Sequence, residues 1–109
     1  MQHRYETIYW GLYEDGKIQL IQLFAYKEQP DFYTVRESVP IIRGEESISR
    51  IYVEDLDVIR ENDGSVFSKQ LLFVLESLEA RIRIHAEDVK RELRCHMTYL
   101  SRVRQQHNL

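Results

Sequence analysis

Ser65-Val66-Phe67-Ser68-Lys69-Gln70-Leu71-Leu72-Phe73-Val74-Leu75-Glu76-Ser77-Leu78-Glu79-Ala80-Arg81-Ile82 opens a stretch that runs to Leu109 without a glycine or a proline. In its first four turns Val66, Phe67, Leu71, Leu72, Phe73, Val74, Leu75 and Leu78 cover most of a helical circumference, which predicts a helix buried against a sheet. Beyond Ile82 the apolar stripe narrows to Val89, Leu93, Met97, Leu100 and Val103, with Glu87, Lys90, Arg91, Arg94 and Arg102 behind it. A narrow stripe suits contact with one other helix. A continuous helix from Ser65 to Arg104 would be roughly 60 Å long, against roughly 35 Å for the width of a compact domain of this size. The expectation is therefore one long C-terminal helix whose distal half, through Val89, Leu93, Met97, Leu100 and Val103, associates with a second copy as a homodimer. A fold-back after a break near His85 is the alternative.

The 64 residues in front of the helix read as strands. Tyr5 to Tyr13 and Lys17 to Tyr26 flank Glu14-Asp15-Gly16-Lys17, and Asp-Gly at the centre of a two-residue loop is a strong hairpin signal because both positions tolerate positive φ. With Asp15-Gly16 as the loop, Ile8 opposes Leu23, Trp10 opposes Ile21 and Leu12 opposes Gln19 on one face. Tyr5 opposes Tyr26, Thr7 opposes Phe24, Tyr9 opposes Gln22 and Tyr13 opposes Ile18 on the other. The aliphatic and indole face is assigned to the core, and the tyrosine face to solvent or a partner. Phe32 to Val39 forms a third strand, ended by Pro40 at an edge, and Arg43-Gly44-Glu45-Glu46 is a turn. Ser49 to Val53 forms a fourth, and Asp55 to Arg60 leans towards an extended edge. Asn62-Asp63-Gly64-Ser65 stops the sheet, with Asp63 or Ser65 capping the helix. The expected architecture is a single α+β domain over 1–109, with an antiparallel sheet of about four strands in 1–64 packed on one long helix in 65–109.

The totals narrow the function classes. The chain has 109 residues, 43% of them hydrophobic, with four glycines and two prolines, a composition that folds. One cysteine, Cys95, rules out an internal disulfide and any multi-cysteine metal framework, which with the lack of an N-terminal apolar core predicts a cytoplasmic protein. The longest apolar run, Leu71 to Leu75, is far below the ~20 residues of a membrane span. The net charge of −3 divides unevenly: 1–64 carries 7 basic and 13 acidic residues, 65–109 carries 8 and 5. An acidic front and a basic tail suit two different contact surfaces.

No Gly-rich phosphate loop, nucleophile elbow or separated Ser, His and Asp set occurs, so an enzyme is not expected and no cofactor is implied. His85, His96 and His107 recur every eleven residues, near one helix azimuth but ~16 Å apart along the axis, too far to share a metal. His85 with Asp88, and Glu92 with His96, have the spacing of two ligands each and lack a third, so no metal site is assigned. Two surfaces remain. Glu54, Asp55, Asp57 and Glu61, without the spacing of a calcium loop, suit a partner with a basic groove, and Tyr5, Tyr9, Tyr13 and Tyr26 suit a protein interface because aromatic rings with polar tips bury area at little entropic cost. The sequence thus predicts a small intracellular protein-binding module that neutralises a partner by occupying its surface, as immunity proteins, antitoxins or phage-encoded inhibitors of defence do. The alternative is a dimeric nucleic-acid-binding regulator that presents Lys90, Arg91, Arg94, Arg102 and Arg104 to phosphates.

Overall fold

The computed structural model describes residues 4–43, 47–85 and 90–109, with the side chains of Arg91 and Glu92 excepted. Among them, one antiparallel sheet is built from β1 (Glu6–Glu14), β2 (Lys17–Gln29), β3 (Phe32–Ile42), β4 (Arg50–Tyr52) and β5 (Val66–Ser68), in the order β4-β3-β2-β1-β5. Two helices follow, α1 (Leu71–Ile84) and α2 (Lys90–Gln106). The class is α+β as expected, with five strands in place of about four and two helices in place of one. No helix among the described residues is long and apolar enough to cross a membrane.

The hairpin signal is realised in the expected register, with Ile8 opposite Leu23, Trp10 opposite Ile21, Leu12 opposite Gln19 and Tyr13 opposite Ile18. Asp15 and Gly16 both take positive φ, +53° and +73°, as a two-residue hairpin loop requires. Pro40 lies inside β3, paired with Ile21 of β2, in the stretch of β3 beyond the pairing with β4, which spans Phe32 to Thr34. Its missing N–H is tolerated there because that side of the strand is a sheet edge.

The sheet curls until its edges are joined. Register irregularities between β2 and β3, at Leu20/Ile21, Phe24/Ala25 and Lys27/Gln29, add local bend and twist. After β4 a short 3-10 turn, Val53–Asp55, carries the chain across to the outer side of β5, where Leu56 bridges Phe67 and Ile59 bridges Val66. The Val53 N–H donates to the Asp31 carbonyl at 2.9 Å and the Asp57 N–H to the Phe67 carbonyl at 2.8 Å, so one segment ties both edges together. Asp55 to Arg60, expected as an edge strand, is thus a turn followed by isolated bridges. Inside the curl lie Ile8, Trp10, Leu12, Ile21, Leu23, Ala25, Tyr33, Ile51 and Phe67, which places the aliphatic and indole face in a core as expected.

The other face is covered in part, so that Tyr13 is buried, contrary to the expectation that the tyrosine row faces solvent or a partner, while Tyr5 remains exposed. Tyr13, Ile18 and Leu20 form a second core with Val66, Leu71, Val74, Leu75, Leu78, Ile82, Leu100 and Val103. The permissive residue is Gly11: a Cβ there would stand 2.5 Å from Val74 Cγ1 and 3.0 Å from Leu78 Cδ1, so only glycine lets α1 lie this close to β1. On α1 the buried positions Leu71, Val74, Leu75, Leu78, Glu79 and Ile82 follow the helical repeat.

Two boundaries near the helix differ from the sequence reading. Val66–Ser68, expected as the first helical turn, is β5, because all three residues are buried and pair with β1 through Tyr9↔Ser68, Trp10↔Phe67 and Gly11↔Val66. Asp63 does not cap the helix; its Oδ1 accepts from the Ser65 N–H at 2.8 Å and turns the chain into β5. Ser68 Oγ accepts from the Gln70 N–H at 3.0 Å just ahead of α1.

The long helix breaks at His85. Its N–H donates to the Ile82 carbonyl at 3.1 Å, closing α1. α2 then runs back antiparallel to α1, as shown by Arg104 against Glu79 and by His96 and His107 against Tyr13 and Tyr9. The projecting seam is thereby corrected: Leu100 is 0% and Val103 3% exposed, and Leu93 and Met97 pack half-buried on the same core. Val89 lies outside the described residues. Burying Leu100 and Val103 within the chain yields about 1.5–3 kcal/mol each, gained without a partner's loss of translational freedom.

Candidate protein-interaction face

The helices cover the β1–β2 face only in part. The residue just past α2 reaches Tyr9, whose ring meets His107 edge-on at 6.3 Å, and burial there raises the Tyr9 phenol above its ordinary pKa. Tyr13 lies deeper, 5% exposed, with the rings of His85 and His96 edge-on to it at 6.0 and 5.5 Å. Past Tyr9 the cover ends. Tyr5 is 51% exposed and its ring packs edge-on against Tyr26 at 5.8 Å. The expected tyrosine row therefore divides, with Tyr9 and Tyr13 in the helix-covered part and Tyr5 and Tyr26 at the open end.

Two surface hollows share Tyr5 as a wall. One, of about 320 Å³, is lined by Tyr5, Phe24, Arg36 and Glu37; the other, of about 460 Å³, by Arg4, Tyr5, Glu6, Tyr26 and Lys27. Volumes of this order accept whole side chains or small ligands. Tyr5, Phe24 and Tyr26 are read from hairpin register, Phe24 through its pairing with Thr7, whereas Arg36 and Glu37 come from the β2–β3 pairing, where Phe24 opposes Glu37 next to a register irregularity. Exposed Val39 continues the same edge region. The face is anchored from behind: Lys69 Nζ lies 3.0 Å from Glu6 Oε1 and 5.1 Å from the Tyr33 ring centre. The hydrogen bond from Lys69 holds the Glu6 carboxyl below its ordinary pKa against the opposing effect of burial, and hydrogen bonds to Tyr33 and Glu6 raise that of Lys69.

The acidic group lies on another part of the molecule, the segment that joins the sheet edges, and half of it has local partners. Asp57 takes φ +60° and accepts from Ser68 Oγ at 2.5 Å, while Asp55 pairs with Arg60 at 3.4 Å. Glu54 and Glu61 are exposed, and between them Val58 and Ile59 are 49% and 50% exposed, an apolar component the charge pattern alone does not reveal. Of the basic set, Lys90, Arg94 and Arg102 are exposed, and the Arg91 side chain lies outside the described atoms. Arg104 is committed to Glu79, whose hydrogen bonds raise its pKa further, and so leaves the phosphate-facing set. The histidine–acid pairs His85 with Asp88 and Glu92 with His96 each include an undescribed side chain, and no group of three metal-ligating residues occurs among the described ones. Cys95 is exposed.

Comparison with protein-family models, with curated proteins and with solved structures finds no match.

Proposed function

We propose that this chain is a small protein-binding module that restrains or neutralises a partner by covering its surface, in the manner of immunity proteins, antitoxins or inhibitors of defence systems. The observation that carries the reading is the uncovered end of the β1–β2 face. There Tyr5, Phe24 and Tyr26 stand around two hollows, with Arg36, Glu37, Arg4 and Lys27 at the rim. An aromatic centre with a charged rim is the composition of a contact surface whose centre supplies affinity and whose rim supplies register. The paired strands beneath it hold these side chains in place before contact, which lowers the entropic cost of association. The exposed Val58 and Ile59 between Glu54 and Glu61 offer a second, acidic contact region.

The test is affinity capture from the native host with the wild-type chain and with a Tyr5→Ser/Phe24→Ser/Tyr26→Ser variant, the melting curve of each being recorded. The reading expects a partner retained by the first and lost by the second at similar stability. A partner retained equally by both removes the aromatic face from the function.

A further inference from the structure

At the opposite end of the β1–β2 hairpin, the turn into β2, the residue after β3 and the middle of α2 converge on a third hollow, of about 170 Å³. Lys17, Arg43, His96 and Tyr99 line it above an apolar floor of Ile18 and Ile42. The chain as a whole is acidic, with 18 carboxylates against 15 Lys and Arg, yet no acidic side chain is among the described residues that line this hollow. Glu14, the cross-strand partner of Lys17, does not line it.

Among the described lining side chains the only formal charges are the two cations, Lys17 and Arg43. Lys17 offers three donors on a point charge and Arg43 a planar fork of five, and neither accepts a hydrogen bond; the Tyr99 hydroxyl adds another donor. Arg43 holds φ at +32°, a left-handed conformation that an L-residue adopts at a cost. One turn along α2 from Tyr99, the exposed Arg102 extends the positive field. A tetrahedral anion with several acceptor oxygens complements such a set, its oxygens taking the guanidinium fork and the ammonium together. We propose that this hollow is a binding site for a phosphate group, distinct from the aromatic face.

The probe is inorganic phosphate, titrated into the isotope-labelled full chain at constant ionic strength with chloride as control, and followed by NMR. The proposal expects saturable shifts confined to Gly16, Lys17, Arg43, His96 and Tyr99, with a dissociation constant of about 1–10 mM. A Lys17→Gln/Arg43→Gln variant should weaken binding roughly tenfold or more, and Tyr99→Phe by less, both with unchanged melting. Parallel titrations distinguish the source of the phosphate. A nucleoside monophosphate that binds more tightly than phosphate identifies a small solute, and a short DNA duplex that binds more tightly with a steep salt dependence identifies a nucleic-acid backbone. Shifts that chloride reproduces, shifts scattered over the surface, or equal affinity in the double variant overturn the proposal.

Discussion

Arg104 donates through Nε to Glu79 Oε1 at 2.8 Å and through Nη2 to Oε2 at 3.0 Å, a two-pronged ion pair between α2 and α1. The Glu79 side chain is 10% exposed and that of Arg104 30%, so the carboxylate depends on this partner for most of its solvation. Removing one member of a buried pair leaves the other charge stranded, at about 3–5 kcal/mol when both are fully buried. With partial exposure here, Arg104→Met should cost about 1–3 kcal/mol. Glu79→Leu combined with Arg104→Met should cost less than the two single changes added together. Urea unfolding of the four proteins in a double-mutant cycle measures the coupling.

Gly11→Ala inserts a methyl group against Val74 and Leu78. A loss of about 1–3 kcal/mol is expected from overpacking. In a Val74→Ala background the same substitution should cost markedly less, because the methyl it meets at 2.5 Å is gone. Equal costs in both backgrounds, read from unfolding midpoints, would show that α1 does not press on β1 at this point.

Leu100 decides whether the α2 stripe serves the chain itself or a second copy. Its side chain is fully buried in the helix-side core, so Leu100→Ala should lower the unfolding free energy by about 2–5 kcal/mol. Light scattering should give the same mass for both proteins. A variant of undiminished stability and halved mass would return the stripe to an intermolecular role.

Acid should loosen the molecule through two identified carboxylates. Glu6 is held below its ordinary value of 4.5 by the hydrogen bond from Lys69, and Asp63 below 3.8 because its hydrogen bonds with Ser65 outweigh the opposing effect of burial. Since the folded-state values lie below the unfolded ones, their stabilisation is present above the ordinary values and is lost as pH falls through the depressed ones. Urea midpoints should therefore decline below about pH 4.5, and Glu6→Gln with Asp63→Asn should flatten that decline. The same slope in the double variant would assign acid sensitivity to other groups.

The hairpin was legible in full because a two-residue loop leaves no freedom of register; once Asp15-Gly16 is placed, every pair from Glu6↔Ala25 to Glu14↔Lys17 follows. The choice of face was harder. Both faces of β1 are apolar enough to be buried, and a sheet that curls round its own interior leaves the reverse side for the helices. Gly11 carried that information, as a strand glycine between Tyr9 and Tyr13 marks close approach of another element. The break at His85 had no glycine or proline to announce it, and it follows from tertiary packing, since doubling back buries Leu100 and Val103. β5 was missed because Val66–Ser68 directly precedes an apolar helix and matches its repeat. For the interaction face, Tyr5, Phe24 and Tyr26 followed from the hairpin register, whereas Arg36 and Glu37 needed the irregular β2–β3 pairing.

The segment from Val53 to Ile59 also bears on how this molecule behaves at high concentration. An open strand margin is a template on which other chains can stack into fibrils. Here Leu56 and Ile59 occupy the outer side of β5, β4 is three residues long, and the stretch of β3 beyond β4 carries Arg36, Glu37 and Pro40. The margins are capped, clipped or studded with charge and imide, so the protein should resist seeding by its own aggregates.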